Sequence, residues 1–385
     1  MWLSDVSIVL ADRVIPCGAI QIENGLIAAI QESGGQPTHT VFPGFVDMHG
    51  DMIELELEPR VKVDFPMDVA VNHLDARLAA SGVTTAYAAV SFSRNAEKGQ
   101  RRSFDHTCGI IRALKDAKSD TRIDHRIHAR FDITFTEAID ALGDLLQDGA
   151  VDLVSVMDHT PGQGQYRNVE KLVEIQAARE GITREAARAS VEERIDAATP
   201  AAEILSNLQC VSALCHEHGI AVASHDDDTV EKSHLMADIG AVISEFPVSF
   251  EAAETAVSRG LMTAMGAPNA MRGKSYSGNM SARKAHAAGL LHILAADYHP
   301  GAILPAIRAL SQQDSDGLTG AVRLASLNPA KALGLTDRGE IAVGKRADLS
   351  VVDAKDRVVA TLSGGRTAFD NGSFTFRTAL NHAAA

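Results

Sequence analysis

Between residues 44 and 297 the chain alternates short apolar runs with stretches of helical period, eight times over. The runs fall at 44–49, 83–90, 126–133, 151–157, 220–225, 241–245, 261–265 and 293–297. Near-continuous apolar runs of this length suit strands buried on both faces, and parallel neighbours need a crossover helix between them. Patterns such as Asn72 to Ser81 and Glu251 to Ser258 supply those helices. Eight such units predict a TIM-type (β/α)8 barrel in an α/β chain. The flanks read differently. Short strands are expected at 7–10, 19–22 and 26–30, with the hairpin signal Asn24-Gly25 between the last two, and again at 348–352, 358–360 and 373–376. The expected organisation is a barrel over 43–336 and one small β domain built from both termini, 1–42 and 337–385. Residues 166–200, rich in Glu, Arg and Ala, form a helical insertion that reads either as a lid or as an oligomer contact.

In barrels of this kind the chemistry lies at the carboxyl ends of the strands, and those ends are where the polar residues cluster. Strand 1 ends in Asp47-Met48-His49-Gly50-Asp51, whose His49 and Asp51 are two apart and so share a face. Strand 3 ends in Asp132, strand 4 in Asp158-His159, strand 5 in His225-Asp226-Asp227-Asp228, strand 6 in Glu245 and strand 8 in Asp297. Imidazole and carboxylate without thiolate suit a divalent ion, one or two in number, with zinc first and manganese or iron as alternatives. Any one of these residues alone reads equally as a helix cap, and Asp228-Thr229 is better taken as the cap of a helix starting near Val230. His128, beside strand 3, reads as a satisfied structural histidine that could also point inward.

A glycine-rich, basic segment follows strand 7, from Gly266 through Asn269, Arg272 and Lys274 to Asn279. Glycines let backbone N–H groups approach a ligand, and two cations suit phosphate. It lacks the spacing of a Walker loop, and a plain surface loop is the competing reading. Arg60 and Lys62 after strand 1, and Arg167 after the turn at 161–164, add further candidate cations. The net charge of −14 argues against a nucleic-acid or anionic-membrane surface, yet one basic pocket can still take a small phosphorylated substrate. No run is long and apolar enough to span a bilayer, and no secretory leader is visible at Met1 to Asp5, so a cytoplasmic protein is expected. Four cysteines without a CxxC pair do not suggest a disulfide framework. A homo-oligomer stays open.

Taken together, these segments resemble the amidohydrolase superfamily. Pro43-Gly44-Phe45-Val46-Asp47-Met48-His49 is similar to its strand-1 signature, and Asn328 to Gly334 with Gly344 to Leu349 to its return to the small β domain. The stretches Ser155 to Gln163, Ala223 to Asp227, Glu245 to Pro247, Met265 to Asn269 and Asp297-Tyr298 resemble the branch that hydrolyses ribose-phosphonate triphosphates in phosphonate metabolism. The resemblance implies a metal-dependent phosphoric-anhydride hydrolase that releases pyrophosphate. His49, Asp51, His225 and Asp297 fall on its metal positions, with Asp297 also the proton acceptor. Asp132 is then the expected bridging carboxylate, His159 and Glu245 further ligands or substrate contacts, and Arg272, Lys274, Asn269, Arg60 and Arg167 the substrate-binding set. The chain departs from the pattern at Met52, where Asn is usual, at Asp132 in place of Glu, and at Lys274 and Tyr276. Two other functions compete: hydrolysis of a cyclic amide or N-acyl sugar phosphate, and a non-catalytic scaffold in phosphonate metabolism.

Overall fold

The computed structural model describes residues 1–60, 63–92, 104–275 and 278–378, so Lys62 and Tyr276 lie outside the described residues. The first strands are β1 (Trp2–Val9), β2 (Val14–Glu23), β3 (Leu26–Glu32) and β4 (His39–Pro43). Asn24 and Gly25 join β2 to β3 with φ of 51° and 80°. These are the two left-handed residues that a tight turn matching strand twist requires. The barrel strands are β5 (Phe45–Gly50), β6 (Val83–Phe92), β7 (Asp124–Asp132), β8 (Leu153–Met157), β9 (Ala221–His225), β10 (Ile243–Glu245), β11 (Met262–Gly266) and β12 (Ile293–Ala295). The chain finishes with β13 (Leu349–Val352), β14 (Val358–Ser363) and β15 (Arg366–Asp370).

Two sheets result. In one, eight parallel strands run in chain order from β5 to β12. The seam between first and last is joined where Asp297 N donates to His49 O at 2.9 Å and Asp51 N to Asp297 O at 3.1 Å. This is the TIM-type barrel. The other sheet has the order β15-β14-β13-β4-β1-β2-β3 and draws on both termini. One apolar run, Val41 to Val46, serves both sheets. The chain passes from β4 to β5 at Gly44, where a Cβ would lie 2.3 Å from Thr84 Oγ1.

The expected strand at 373–376 does not form. β15 takes its place because Gly364 and Gly365, both at positive φ, fold 366–370 straight back onto β14. That leaves Phe374 to pack on the small sheet's core as a side chain outside any strand. The expected insertion is helical: helices Val169–Glu180 and Arg184–Asp196 pair over a small cluster of Leu172, Val173, Ala187 and Val191. The helix Val230–Asp238 starts where expected and is capped by Thr229, which accepts from Lys232 N. Among the described residues no helix is long and apolar enough to cross a membrane.

Two packing devices position the site. Inside the barrel, Met48, Tyr87, Leu153, Ala223, Ile243, Ala264 and Ile293 form one buried apolar cluster beneath the strand ends. At the foot of β7, buried Asp75 on the helix Met67–Ala80 accepts from Arg122 N at 2.9 Å, Ile123 N at 3.2 Å, Arg122 Nη1 at 2.9 Å and His125 Nε2 at 3.0 Å. Burial pushes this carboxyl up, but the bonds from His125 and Arg122 outweigh it and hold it below its usual range. Its contribution is therefore present at neutral pH and is lost as acid protonates it. Asp75→Ala strips buried donors of their acceptor and should cost about 3–5 kcal/mol in urea denaturation, the range for breaking a buried pair. A change in midpoint worth well under 1 kcal/mol would show that water replaces the carboxylate.

Candidate active site

At the carboxyl end of the barrel lies a cavity of about 270 Å³ whose lining includes His49, Asp51, Arg130, His225, Asp226, Asn269, Arg272 and Asp297. Strand geometry delivers these groups. Asp47 and His49 alternate along β5 and Asp51 directly follows it; buried Asp47 accepts from His49 N at 3.2 Å and from Ala296 N at 2.8 Å, tying the first strand to the last. The strand ends share a backbone device. Asp226, Phe246 and Asp297 all adopt left-handed φ, at 55°, 52° and 57°. Each donates its N–H to the neighbouring strand: to Glu245 O, Ala264 O and His49 O respectively. Such a conformation is costly for a residue with a Cβ, about 1–3 kcal/mol, and persists where the surroundings enforce it. Phe246 is the bulky case, and its ring stands edge-on to His49 and His225, at 4.9 and 5.3 Å between centroids. Gly266 clears room for Asp297, since a Cβ there would lie 2.8 Å from its Oδ2.

Among the described residues, His and carboxylate donors converge within 4.8 Å in two groups: His49, His128 and Glu245, and His159, His225 and Asp226. In the first, Glu245 is fully buried, with Oε2 3.4 Å from His49 Nδ1 and Oε1 3.7 Å from His128 Nε2. In the second, His225 Nδ1 faces Asp226 Oδ2 at 3.0 Å. Arg130 reaches in beside them. Its Nη1 is 3.7 Å from Asp51 Oδ2, and its Nη2 3.5 Å from His225 Nε2.

The electrostatics follow from burial. Burial pushes His225 and His128 down to about 3 and His49 well below its usual range, so all three imidazoles are neutral, the form that binds a metal. Burial first, and then the charge of Asp51, push Asp297 up to about 8; burial pushes Asp47 up to about 7. Several buried polar atoms here make no hydrogen bond: His49 Nδ1, His225 Nδ1, Asp51 Oδ1, Asp226 Oδ2 and both oxygens of Glu245. Buried polar atoms are ordinarily paired. A convergence of unpaired imidazole nitrogens and carboxylate oxygens fits a divalent ion of the zinc, manganese or iron type.

The structure sorts the expected residues. His49, Asp51, His225 and Asp297 line one cavity, although the donor atoms that come closest belong to the two groups above. His159 joins the second group and Glu245 the first, beneath the cavity rather than on its wall. Asp132 is not brought to the cavity: its Oδ1 accepts from Thr134 N at 3.0 Å and Thr134 Oγ1 at 2.6 Å, which closes a local turn. The inward position it was expected to fill belongs to Arg130, one step lower on the same strand face. Arg272 lines the cavity mouth, whereas Lys274 and Arg60 are exposed and lie off its wall. Arg167 belongs to an adjoining cavity with Gln165, Lys171 and Asn279. Asn269 lines the main cavity, but its amide bonds Met280 O and Ala282 N, so it folds its own loop. The expected loop is in part a helix, Ala267–Arg272, ended by Gly273.

Sequence reasoning missed Arg130 and left His128 as a structural group. His128 does bond Ser155 Oγ at 2.8 Å, and it also faces Glu245. The signal was present: His128, Arg130 and Asp132 alternate on one strand, and a cation amid an otherwise buried run needs a reason to be there.

Comparison with known proteins agrees with the architecture. The Amidohydrolase family profile matches residues 40–377. Over 370 residues the chain is 36% identical to α-D-ribose 1-methylphosphonate 5-triphosphate diphosphatase of Escherichia coli K12, covering 92% of this chain and 96% of that one. Among solved structures, 5-methylcytosine deaminase from Klebsiella pneumoniae superposes with a TM-score of 0.66 at 15% identity, covering 98% and 99% of the two chains. N-acetyl-D-glucosamine-6-phosphate deacetylase from Mycobacterium smegmatis gives 0.64 at 16% identity, covering 95% and 99%. At such identities these two speak for the fold alone.

Proposed function

Because the chain belongs to the amidohydrolase family and is a hydrolase, we propose that it is a metal-dependent diphosphatase acting on α-D-ribose 1-methylphosphonate 5-triphosphate or a close alkylphosphonate analogue. Water adds at the α-phosphorus, the α–β anhydride bond breaks, and the products are the ribose 5-phosphate ester and pyrophosphate. The observation that carries this reading is one cavity holding both a His/carboxylate cluster and two arginines, Arg130 and Arg272. The curated relative, 36% identical over nearly all of both chains, supports the substrate class.

The residues that would hold the ion are His49, Asp51, His225 and Asp297, with His159, Asp226 and Glu245 as neighbouring donors. When bound, a divalent ion acidifies water and neutralises phosphate charge. The chain's own groups do the rest. Asp297 accepts the proton of the attacking water at the carboxylate that Gly266 leaves room for. Arg130 offers a fixed cation at the cavity floor, and Arg272 holds the departing diphosphate at the mouth. Phe246, Met265 and Met280 supply apolar wall that limits water.

The test is a release assay with ribose-phosphonate triphosphate, nucleoside triphosphates, dihydroorotate and N-acetyl sugar phosphates. Pyrophosphate from the first alone supports the proposal. Turnover of an amide substrate instead would place the chain with amide hydrolases, and a metal-loaded protein inert to all would favour a scaffold. Within this reading Arg272→Ala should lower kcat/KM by about 1.5–3 kcal/mol, mainly through KM, as expected for a charge-assisted phosphate contact. Lys274→Ala, off the cavity wall, should do less. Equal losses would mean that the loop closes further around the substrate than its position here.

A further inference from the structure

Arg130 stands two residues before the end of β7, on the strand face that carries His128 below it. Its side chain is nearly buried, and it comes between residues from two separate strand ends: Asp51 following β5 and His225 closing β9. Both belong to the set that would hold the ion in the reading above. A guanidinium cannot lose its charge in a protein, and its rigid fork prefers an anchored position. It therefore meets an arriving ion as a tethered competitor for the same carboxylate and imidazole. Of the donor atoms it does not face, Asp51 Oδ1 and His225 Nδ1 make no hydrogen bond, and these residues line one cavity with His49, Asp226 and Asp297; His159 adjoins them in one of the two donor groups. The other group is enclosed, with His128 and Glu245 fully buried and only His49 reaching the cavity wall.

We infer that Arg130 takes the place of a second metal ion, so that the centre is completed by one divalent ion and one guanidinium. The inference rests on the metal-dependent reading above and deepens it, fixing the number of ions and assigning a role to a residue outside the ligand set. Two like charges a few ångströms apart repel strongly where water is scarce. A second divalent ion beside the guanidinium would face that repulsion while lacking Asp51 Oδ2 and His225 Nε2, which Arg130 already faces.

The experiment counts ions. The full-length protein is saturated with zinc or with Mn(II), freed of excess by gel filtration, and its metal measured per chain by plasma mass spectrometry; the Mn(II) form is also examined by electron paramagnetic resonance. The wild type is expected to hold one ion per chain with the spectrum of an isolated Mn(II). Arg130→Met, which keeps the length and removes the charge, should take up a second equivalent and show the signature of a coupled pair. Arg130→Lys restores a cation and should return the count to one. Two ions per chain in the wild type, or a single ion still in a folded Arg130→Met, would overturn the inference while leaving the metal-dependent reading standing. No ion in the wild type would remove that reading as well. Should Arg130→Met fail to fold, the wild-type and Arg130→Lys counts and spectra decide.

Discussion

Asp297→Asn is expected to fold, to retain metal, and to lose at least roughly two orders of magnitude in turnover, since general-base catalysis contributes about 10²–10⁴-fold. The reasoning begins with the backbone. Asp297 sits in a left-handed conformation at the seam of the barrel, its N–H bonded to His49 O and its own carbonyl accepting from Asp51 N. Asparagine tolerates that conformation as well as aspartate does, so the seam should survive. The carboxylate itself is aimed over Gly266 into the cavity. In the metal-free chain, burial and the nearby Asp51 charge push it up to about 8, which makes it reluctant to ionise. A cation alongside reverses that balance and favours the charged form, which can then accept a proton. An amide of the same size can touch the ion through its oxygen but cannot take the proton. The measurement is kcat for pyrophosphate release beside metal content. Near-full turnover in a metal-loaded Asp297→Asn would send the proton elsewhere, with His159 and Asp226 next to be tested.

His225→Ala should weaken metal affinity by more than the roughly 10–100-fold that follows loss of an outer partner of a metal ligand. His225 is central to the site: Nδ1 faces Asp226, Nε2 faces Arg130, and its ring packs against Phe246, His49 and His159. Removing it deletes a donor, frees Arg130 from one anchor, and takes away one of the two imidazole rings that stand edge-on to Phe246. Calorimetric titration of the metal-free protein gives the affinity directly. An affinity within a few-fold of wild type would place the ion on the His49 side, among His128 and Glu245, and Glu245→Gln would then be the variant to lose it.

The sequence by itself determined the barrel, because a parallel strand buried on both faces must read as an apolar run and a crossover must read at helical period. Both signals are local. It also determined which residues would stand at the strand ends, since a polar group that breaks such a run falls there; His49, Asp51, His225 and Asp297 were legible for that reason. The hairpin at Asn24-Gly25 was legible from the left-handed φ that its turn demands. What lay out of reach was which side chains meet across the bore. Asp132 and Arg130 occupy the same face of β7, and only the depth of the strand in the closed barrel decides that the arginine reaches the cavity while the carboxylate turns back to Thr134. Glu245 ends its strand like the others, yet it points down between His49 and His128. Asn269 carried the signs of a ligand contact and is used up by Met280 and Ala282. β15 was missed because Gly364-Gly365 makes a strand of a weakly patterned segment by folding it against β14. For Arg130 and Glu245 the deciding contacts join residues far apart in the chain, and no window of sequence contains both partners. For Asp132, Asn269 and β15 the partners are near in sequence, and only the packed structure decides that the local bond is taken in place of a ligand contact or a later strand.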